Sequence, residues 1–388
     1  MKTTVRFAPS PTGYLHIGGL RTALYNYIYA QQTKGDIILR IEDTDQSRKV
    51  DNAVDNLINI FDKLDIQFSA GPHVQGDKGP YYQSERLSIY NEHIKILINS
   101  NKAYPCFCSE ERLDRLRTQL SKNKLPIKYD RKCTSISKNE AFKKMQSDKY
   151  VIRMKIPHDE EIVFYDKVRD KVVVNSSELD DQILIKSEGF PTYHFANVVD
   201  DHLMEITHVM RGEEWLPSTP KHILLYRFFN WEVPKFIHLP LLLNSDKSKL
   251  SKRQGDVAVE DYINKGYLKE SIINFVSLLG WHPNNDKEIM NIKYLINNFS
   301  INRIQKSGAV FDIDKLNWIN EQYLRALQIE EIANSARPFF HDQGFDLTDN
   351  EKYIKAVDNG RQRVSTLFEI PDKCKMFFDD IILKKEYV

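Results

Sequence analysis

His16-Ile17-Gly18-Gly19 and Lys249-Leu250-Ser251-Lys252-Arg253 are the two stretches of this chain best equipped for phosphate chemistry. The first follows a short apolar run and a Pro/Gly turn, and it opens a helical pattern. That order brings backbone N–H groups and the positive end of a helix dipole to one point. Gly18 and Gly19 allow close approach of a nucleotide, and a His16 ring N–H can donate to a phosphate oxygen. The second stretch lies in a segment, Asp246 to Gln254, with four cations against one acid; lysine ammonium groups act there as flexible point charges toward a polyphosphate. Taken singly, each has a plain alternative. A histidine before a helix caps it, and a run of charge is a solvated loop. In this order in one chain they predict the two halves of a triphosphate site.

The elements that must hold these residues follow from apolar spacing. Residues 3–8 predict a strand ended by Pro9, with turn chemistry in Ser10-Pro11-Thr12-Gly13. From Leu20, apolar residues recur at 3, 4, 7 and 8, which predicts an amphipathic helix. Asp36 to Glu42 reads as a strand and Val50 to Leu64 as a helix. The β-α-β-α order predicts a parallel sheet with covering helices. Beyond Tyr104 the character changes to cysteines, a charged helix-like stretch (Glu110–Lys122) and short strands (Tyr150–Lys155, Glu161–Asp166), as in an inserted module. Strands are predicted again at Gln182–Lys186, Tyr193–Val199, Thr207–Arg211 and Phe236–Leu243, with a helix at Thr219–Phe229. After Asp256 the chain reads as mostly helical.

Composition sets bounds on these readings. The 388 residues suggest two to four domains, and 41% hydrophobic with 28% charged residues is ordinary globular usage. No apolar run is long enough for a membrane span, and no leader pattern opens the chain, so the expectation is a cytoplasmic protein, or one already processed, with no membrane partner. A net charge of +1 announces no global nucleic-acid binder, so any polyanion site must arise from local clustering. Four cysteines do not make a disulfide framework in a chain of this size. Cys106, Cys108 and Cys133 cluster, which suggests a local metal site. Cys-x-Cys followed by Cys133 is the beginning of a zinc set. Tyr129 is an uncommon candidate for the fourth ligand, and a reduced, metal-free remnant is the alternative.

The two phosphate motifs, in this order, resemble those of class I aminoacyl-tRNA synthetases. Arg6 to Gly19, Arg40-Ile41-Glu42-Asp43-Thr44-Asp45, Tyr193 to His202 and Arg211-Gly212-Glu213-Glu214-Trp215 resemble the bacterial type of glutamyl-tRNA synthetase in particular. The resemblance runs over about residues 3–256 and continues more weakly beyond. It implies an α/β fold: a class I Rossmann-type catalytic domain with an inserted acceptor-binding module, followed by a mostly α-helical C-terminal region. In these terms residues 1–104 and 182–256 are the two catalytic halves and 105–181 the acceptor-binding module. Residues 257–325 are a stem-contact region, and 326–388 are part of a helical anticodon-binding region that family chains usually extend further. Many relatives complete the zinc set with Cys-x-His; Ser135 stands at that position here.

The resemblance also implies a reaction and its residues. Glutamate and ATP give glutamyl-adenylate and pyrophosphate, and glutamate then passes to the terminal adenosine of tRNA(Glu). Catalysis falls to His16, Lys249 and Lys252. ATP binding falls to His16, Gly18, Gly19, Glu214, Lys249, Leu250, Ser251, Lys252 and Arg253, with Mg²⁺ carried mostly by ATP and water. Glutamate binding falls to Arg6, Phe7, Ala8, Ser10, Glu42, Tyr193, Asn197 and Arg211. A substrate with two carboxylates and an ammonium calls for at least two cations and one acid, which Arg6, Arg211 and Glu42 supply. A monomer is expected. A glutamyl-queuosine tRNA(Asp) synthetase and a non-catalytic tRNA-binding relative are the alternatives. The first generally lacks the helical C-terminal region, and intact His16, Lys249 and Lys252 argue against the second. A glutaminyl-tRNA synthetase is disfavoured by Ala8-Pro9-Ser10-Pro11-Thr12-Gly13.

Overall fold

A computed structural model describes residues 2–48, 50–250 and 258–378. The chain forms two compact units. The first holds Met1–Thr12, Thr33–Asp51 and Phe68–His238; the second holds Gly13–Gln32, Asn52–Gln67 and Leu239–Val388.

In the first unit, strand Thr4–Phe7 pairs in parallel with Asp36–Leu39, in register from Thr4 opposite Asp36 to Phe7 opposite Leu39. All four residues of Thr4–Phe7 are buried, as a strand covered on both faces requires. Pro9 ends regular pairing, yet the two segments stay side by side: Arg40 N–H donates to Phe7 O at 3.0 Å and Glu42 N–H to Pro9 O at 2.9 Å. The regular strand is thus shorter than Asp36–Glu42, and Glu42 extends beyond its end. A four-stranded sheet runs in the order Asp170–Asn175, Glu161–Asp166, Lys235–Leu239, His208–Gly212. The first pair is an antiparallel hairpin, and Asp166 pairs in parallel with Phe236. Ala103–Cys106, Val151–Met154 and Ile183–Ile185 make a third, antiparallel sheet. The sheets of this unit are therefore mixed, with the parallel pairing concentrated around Thr4–Phe7. Tyr90, Leu97, Phe195, Val199, Ile223, Tyr226 and Phe236 belong to its apolar core.

The largest departure from the sequence reading is Tyr193–Val199, which is not a strand but the first part of helix Tyr193–Leu203. Phe195 through Asp201 are all buried. A helix immersed on every side shows no apolar stripe, and its Tyr, Phe and Val favour a strand by propensity alone. Phe236–Leu243 likewise breaks into Lys235–Leu239 and Leu242–Leu243 around Pro240, which cannot donate to a ladder. The helix Thr219–Phe229 has the expected bounds.

In the second unit, helix Ile17–Gln32 is anchored by polar groups from its buried side. Arg21 donates to Leu279 O at 3.1 Å and Pro240 O at 2.6 Å, and Tyr25 OH donates to Ser277 O at 2.9 Å. The segment it grips turns at Gly280, whose φ of +102° lies in the region open to glycine. Helix Ala53–Lys63 begins after Asn52 in a left-handed conformation, three residues later than Val50. Downstream the chain is helical as expected, through Lys269–Ser277, Ile313–Ala326, Ile329–Asp342, Asn350–Gly360 and Ile370–Phe378. Among the described residues no helix is long and apolar enough to cross a membrane.

Candidate active site

Arg6, Glu42, Tyr193, Asn197 and Arg211 come together in the first unit. Helix Tyr193–Leu203 places Tyr193 and Asn197 one turn apart on one face, with Asp200 and Asp201 following at the next turn. Arg6 Nε donates to Asp201 Oδ1 at 3.1 Å and Nη2 to Oδ2 at 3.3 Å, a side-on grip that fixes the guanidinium plane. Arg40 Nη1 donates to Asp201 Oδ1 at 2.7 Å and its Nη2 to Glu42 Oε1 at 3.0 Å. Asn197 Nδ2 donates to the same Glu42 Oε1 at 3.2 Å. Both bonds to Glu42 thus use one oxygen, and Oε2 accepts none from the described residues. Behind them, Arg86, Tyr90 and Gln83 donate to Asp200 at 2.7, 2.7 and 2.9 Å.

Electrostatics follow from that wiring. Burial pushes the Glu42 carboxyl up, and the pull of Arg40 and Arg6 does not fully offset it. Burial also pushes Asp201 up, but Arg6 and Arg40 together outweigh it and leave it below the ordinary carboxylate range. Arg6, Arg40 and Arg86 are balanced by Glu42, Asp200 and Asp201.

Arg211 is a fourth buried cation, 4% exposed, and its partners are neutral. Nε donates to His238 Nε2 at 3.1 Å, Nη1 to Tyr193 OH at 3.0 Å and His222 Nδ1 at 3.3 Å, and Nη2 to Thr219 Oγ1 at 2.9 Å. Burial pushes the pKa of His222 well below normal, with Arg211 adding to the effect. His194, 3.0 Å from His222, is pushed down to about 4, chiefly by burial. Among the described residues no carboxylate forms an ion pair with Arg211. A buried cation without an acid is costly unless a ligand supplies the acid.

The remaining expected glutamate-site residues lie on the same strand end. Phe7 is buried, Ala8 half-buried and Ser10 exposed. Glu214 is exposed beyond the strand carrying Arg211, and it folds back so closely that a side chain at Gly212 would collide with its carboxylate. Asp43 is held by Ser84, whose N–H donates at 2.8 Å and whose Oγ donates at 2.7 Å.

The phosphate motif is in the second unit. His16 O accepts the Leu20 N–H at 2.9 Å, so the helix starts at Ile17, with His16 before it as the cap, rather than at Leu20. Gly19 N–H donates to His16 Nδ1 at 3.2 Å, a cap on the helix's third residue. With Nδ1 accepting, a neutral ring carries its proton on Nε2. A side chain at Gly18 would meet the His16 ring at 3.0 Å, so glycine leaves room for this conformation. Leu242, beside Gly18, begins the hairpin that carries Lys249: Leu250 N–H donates to Leu242 O at 2.9 Å, and Lys249 is exposed. The two motifs therefore meet at Leu242. Leu250 is half-buried; Ser251, Lys252 and Arg253 lie outside the described residues.

The cysteines converge as expected. The sulfurs of Cys106, Cys108 and Cys133 lie within 4.8 Å of one another, with Cys108 and Cys133 at 3.6 Å. Tyr129 OH stands 3.3 Å from both Cys106 and Cys108 sulfurs. A tetrahedral zinc with bonds of about 2.3 Å to sulfur sets such ligands about 3.7 Å apart, so three thiolates and a phenol oxygen fit it. Ser135 donates to Lys132 O in its own turn, whereas Tyr129 OH stands beside the sulfurs.

Sequence reasoning assigned no role to Arg40, Asp200, Asp201, His222, His238 or Thr219. The spacing of Asn197, Asp200 and Asp201 at 4, 7 and 8 from Tyr193 was the available signal: it is a polar helical stripe.

Comparisons with known proteins give the family. The family model described as "tRNA synthetases class I (E and Q), catalytic domain" matches residues 2–318. A glutamate--tRNA ligase of Alkaliphilus metalliredigens is 51% identical over 349 residues, covering 88% of this chain and 71% of that protein. One from Clostridioides difficile is 46% identical, covering 98% of this chain and 80% of its own length. The crystal structure of a glutamate tRNA ligase from Elizabethkingia meningosepticum in complex with its amino acid superposes with a TM-score of 0.93 at 37% identity, over 100% of this chain and 82% of that one. The chain belongs to the class I tRNA synthetases for glutamate and glutamine, and within them to the glutamate--tRNA ligases.

Proposed function

We propose that this protein ligates L-glutamate to tRNA(Glu) through a glutamyl-adenylate, using ATP. The observation that carries the choice of amino acid is Arg211, a buried guanidinium whose partners among the described residues are all neutral. Glutamate carries one net negative charge at pH 7. Its side-chain carboxylate completes the ion pair that Arg211 lacks, its ammonium takes Glu42 Oε2, and Arg6 faces the carboxylates from its Asp201 brace. Tyr193 and Asn197 shape the pocket, with Phe7, Ala8 and Ser10 along its strand edge. Glutamine would leave the Arg211 charge buried and unmet, which is a strong basis for rejection.

The first step needs no general base, because the attacking carboxylate is already ionised, its reference pKa being about 4. What it needs is orientation and cations on the phosphates. His16 Nε2–H, the helix start at Gly18 and Gly19, and Lys249, Leu250, Ser251, Lys252 and Arg253 serve ATP, with Glu214 on the nucleotide side. Mg²⁺ arrives with ATP: Asp43 is taken up by Ser84, which supports a metal held by phosphate and water rather than by paired acids.

The regional roles follow the family: 105–181 for the acceptor end, 257–325 for the stem, and 326–388 for the anticodon side, around the catalytic halves 1–104 and 182–256. Zinc is proposed at Cys106, Cys108, Cys133 and Tyr129, where it would tie the strand end Ala103–Cys106 to the turn Lys132–Ser135 as a structural ion. ATP-dependent attachment of labelled glutamate to tRNA tests the function. No acid-precipitable label above a tRNA-free control would reject it.

A further inference from the structure

His238 lies behind Arg211, fully buried, on strand Lys235–Leu239. Its Nδ1 is 2.7 Å from Asp166 Oδ2. Asp166 accepts only N–H donors on its other contacts: the backbones of Val168 and Arg169 at 2.9 and 2.8 Å, and that of His238 at 3.2 Å. This carboxylate is therefore ionised and can only accept, so His238 must carry its proton on Nδ1. Nε2 is then a lone pair, and it points at Arg211 Nε–H at 3.1 Å. The opposite tautomer would set two N–H groups against each other. Thr219 Oγ1, 3.2 Å from the same nitrogen, accepts from Arg211 Nη2 and donates to Trp215 O at 3.2 Å. His238 and Thr219 thus fix two edges of the guanidinium, and Nη1 is turned toward Tyr193.

We propose that His238, held in its Nδ1–H tautomer by Asp166, is a positioning residue that sets the plane of Arg211 and through it the affinity and selectivity for a carboxylate side chain. The proposal rests on the reading of Arg211 as the glutamate anchor. An Asp–His pair behind an arginine differs from an Asp behind it in one useful way. The imidazole passes on orientation without placing an anion on the guanidinium, so the positive charge stays available to the substrate.

The test exploits side-chain shape. Asparagine at 238 places its amide near the position of Nδ1 and keeps the bond to Asp166, but it offers Arg211 nothing. Glutamine places its carbonyl near the position of Nε2 and keeps an acceptor for Arg211. In tRNA charging by the full protein, His238→Asn is expected to raise KM for glutamate roughly tenfold or more, with KM for ATP unchanged. His238→Gln is expected to stay within about threefold of the parent. Asp166→Asn, which frees the ring to adopt the wrong tautomer, should resemble His238→Asn and serves if that variant fails to fold. Equal KM values for the Asn and Gln variants, or no change in either, would overturn the proposal. A parent protein that charges no glutamate would instead overturn the functional reading, and the positioning role with it.

Discussion

Arg6 and Asp201 meet through two nitrogens and two oxygens, Nε to Oδ1 at 3.1 Å and Nη2 to Oδ2 at 3.3 Å, whereas Arg211 in the same unit has no such acid among the described residues. The two arginines therefore make different predictions. Asp201→Asn takes a charge from beside Arg6 and Arg40 and should cost about 3–5 kcal/mol of stability in urea unfolding. Arg211→Met removes a cation that no described carboxylate pairs, but it also takes a donor from His238, Tyr193, His222 and Thr219, so it should cost about 1–3 kcal/mol, less than Asp201→Asn. Its kcat/KM for glutamate should nevertheless fall by roughly 100-fold or more. A loss of stability in Arg211→Met as large as that of Asp201→Asn would mean that its charge is met within the protein after all.

His16 has two tasks that one substitution can separate. Asparagine at 16 can still accept the Gly19 N–H and cap the helix. It does not place a donor where Nε2 stands. His16→Asn should thus melt within a few degrees of the parent while charging falls by about 100- to 1000-fold, as for loss of a transition-state donor. Unchanged charging in that variant would leave His16 with the cap alone.

The fold was legible where one face of an element is apolar and the other wet. Helix Ala53–Lys63 and hairpin strand Glu161–Asp166 fall within the ranges that the sequence reading gives them. It was illegible where an element is buried all round, as with Tyr193–Leu203. There the informative residues are polar: Tyr193, Asn197, Asp200 and Asp201 mark the helix by the side that faces the site. The residues proposed to face the substrate could be carried over from motif resemblance. The network behind them could not, because Arg40, Asp200, His222 and His238 acquire roles only from partners far along the chain, such as Asp166 with His238.

The zinc proposal concerns composition. Protein purified without added zinc or chelator should contain about one zinc per chain by elemental analysis, and Cys133→Ser should contain far less. Tyr129→Phe should retain zinc less tightly on titration with a competing chelator. A parent chain with almost no zinc would leave the three thiols as a reduced cluster.

Acid sensitivity has a defined origin in His208. Burial, helped by Lys235 and Lys167, lowers its pKa from 6.5 to about 4 in the folded chain. Between those values the unfolded chain binds a proton that the folded chain refuses, so stability is fully present above pH 6.5 and drains as pH falls toward 4. His208→Gln lacks that proton. Its urea midpoint should therefore decline less steeply across this window, though His194, also lowered to about 4, keeps part of the slope. Parallel profiles for the two proteins would remove His208 as a contributor.

If Arg211 selects a dicarboxylic amino acid, charging of tRNA with labelled glutamate and, separately, labelled glutamine will show it. The account predicts that kcat/KM favours glutamate by roughly 10,000-fold or more, because glutamine leaves Arg211 buried without an acid. Comparable charging with both amino acids would contradict it.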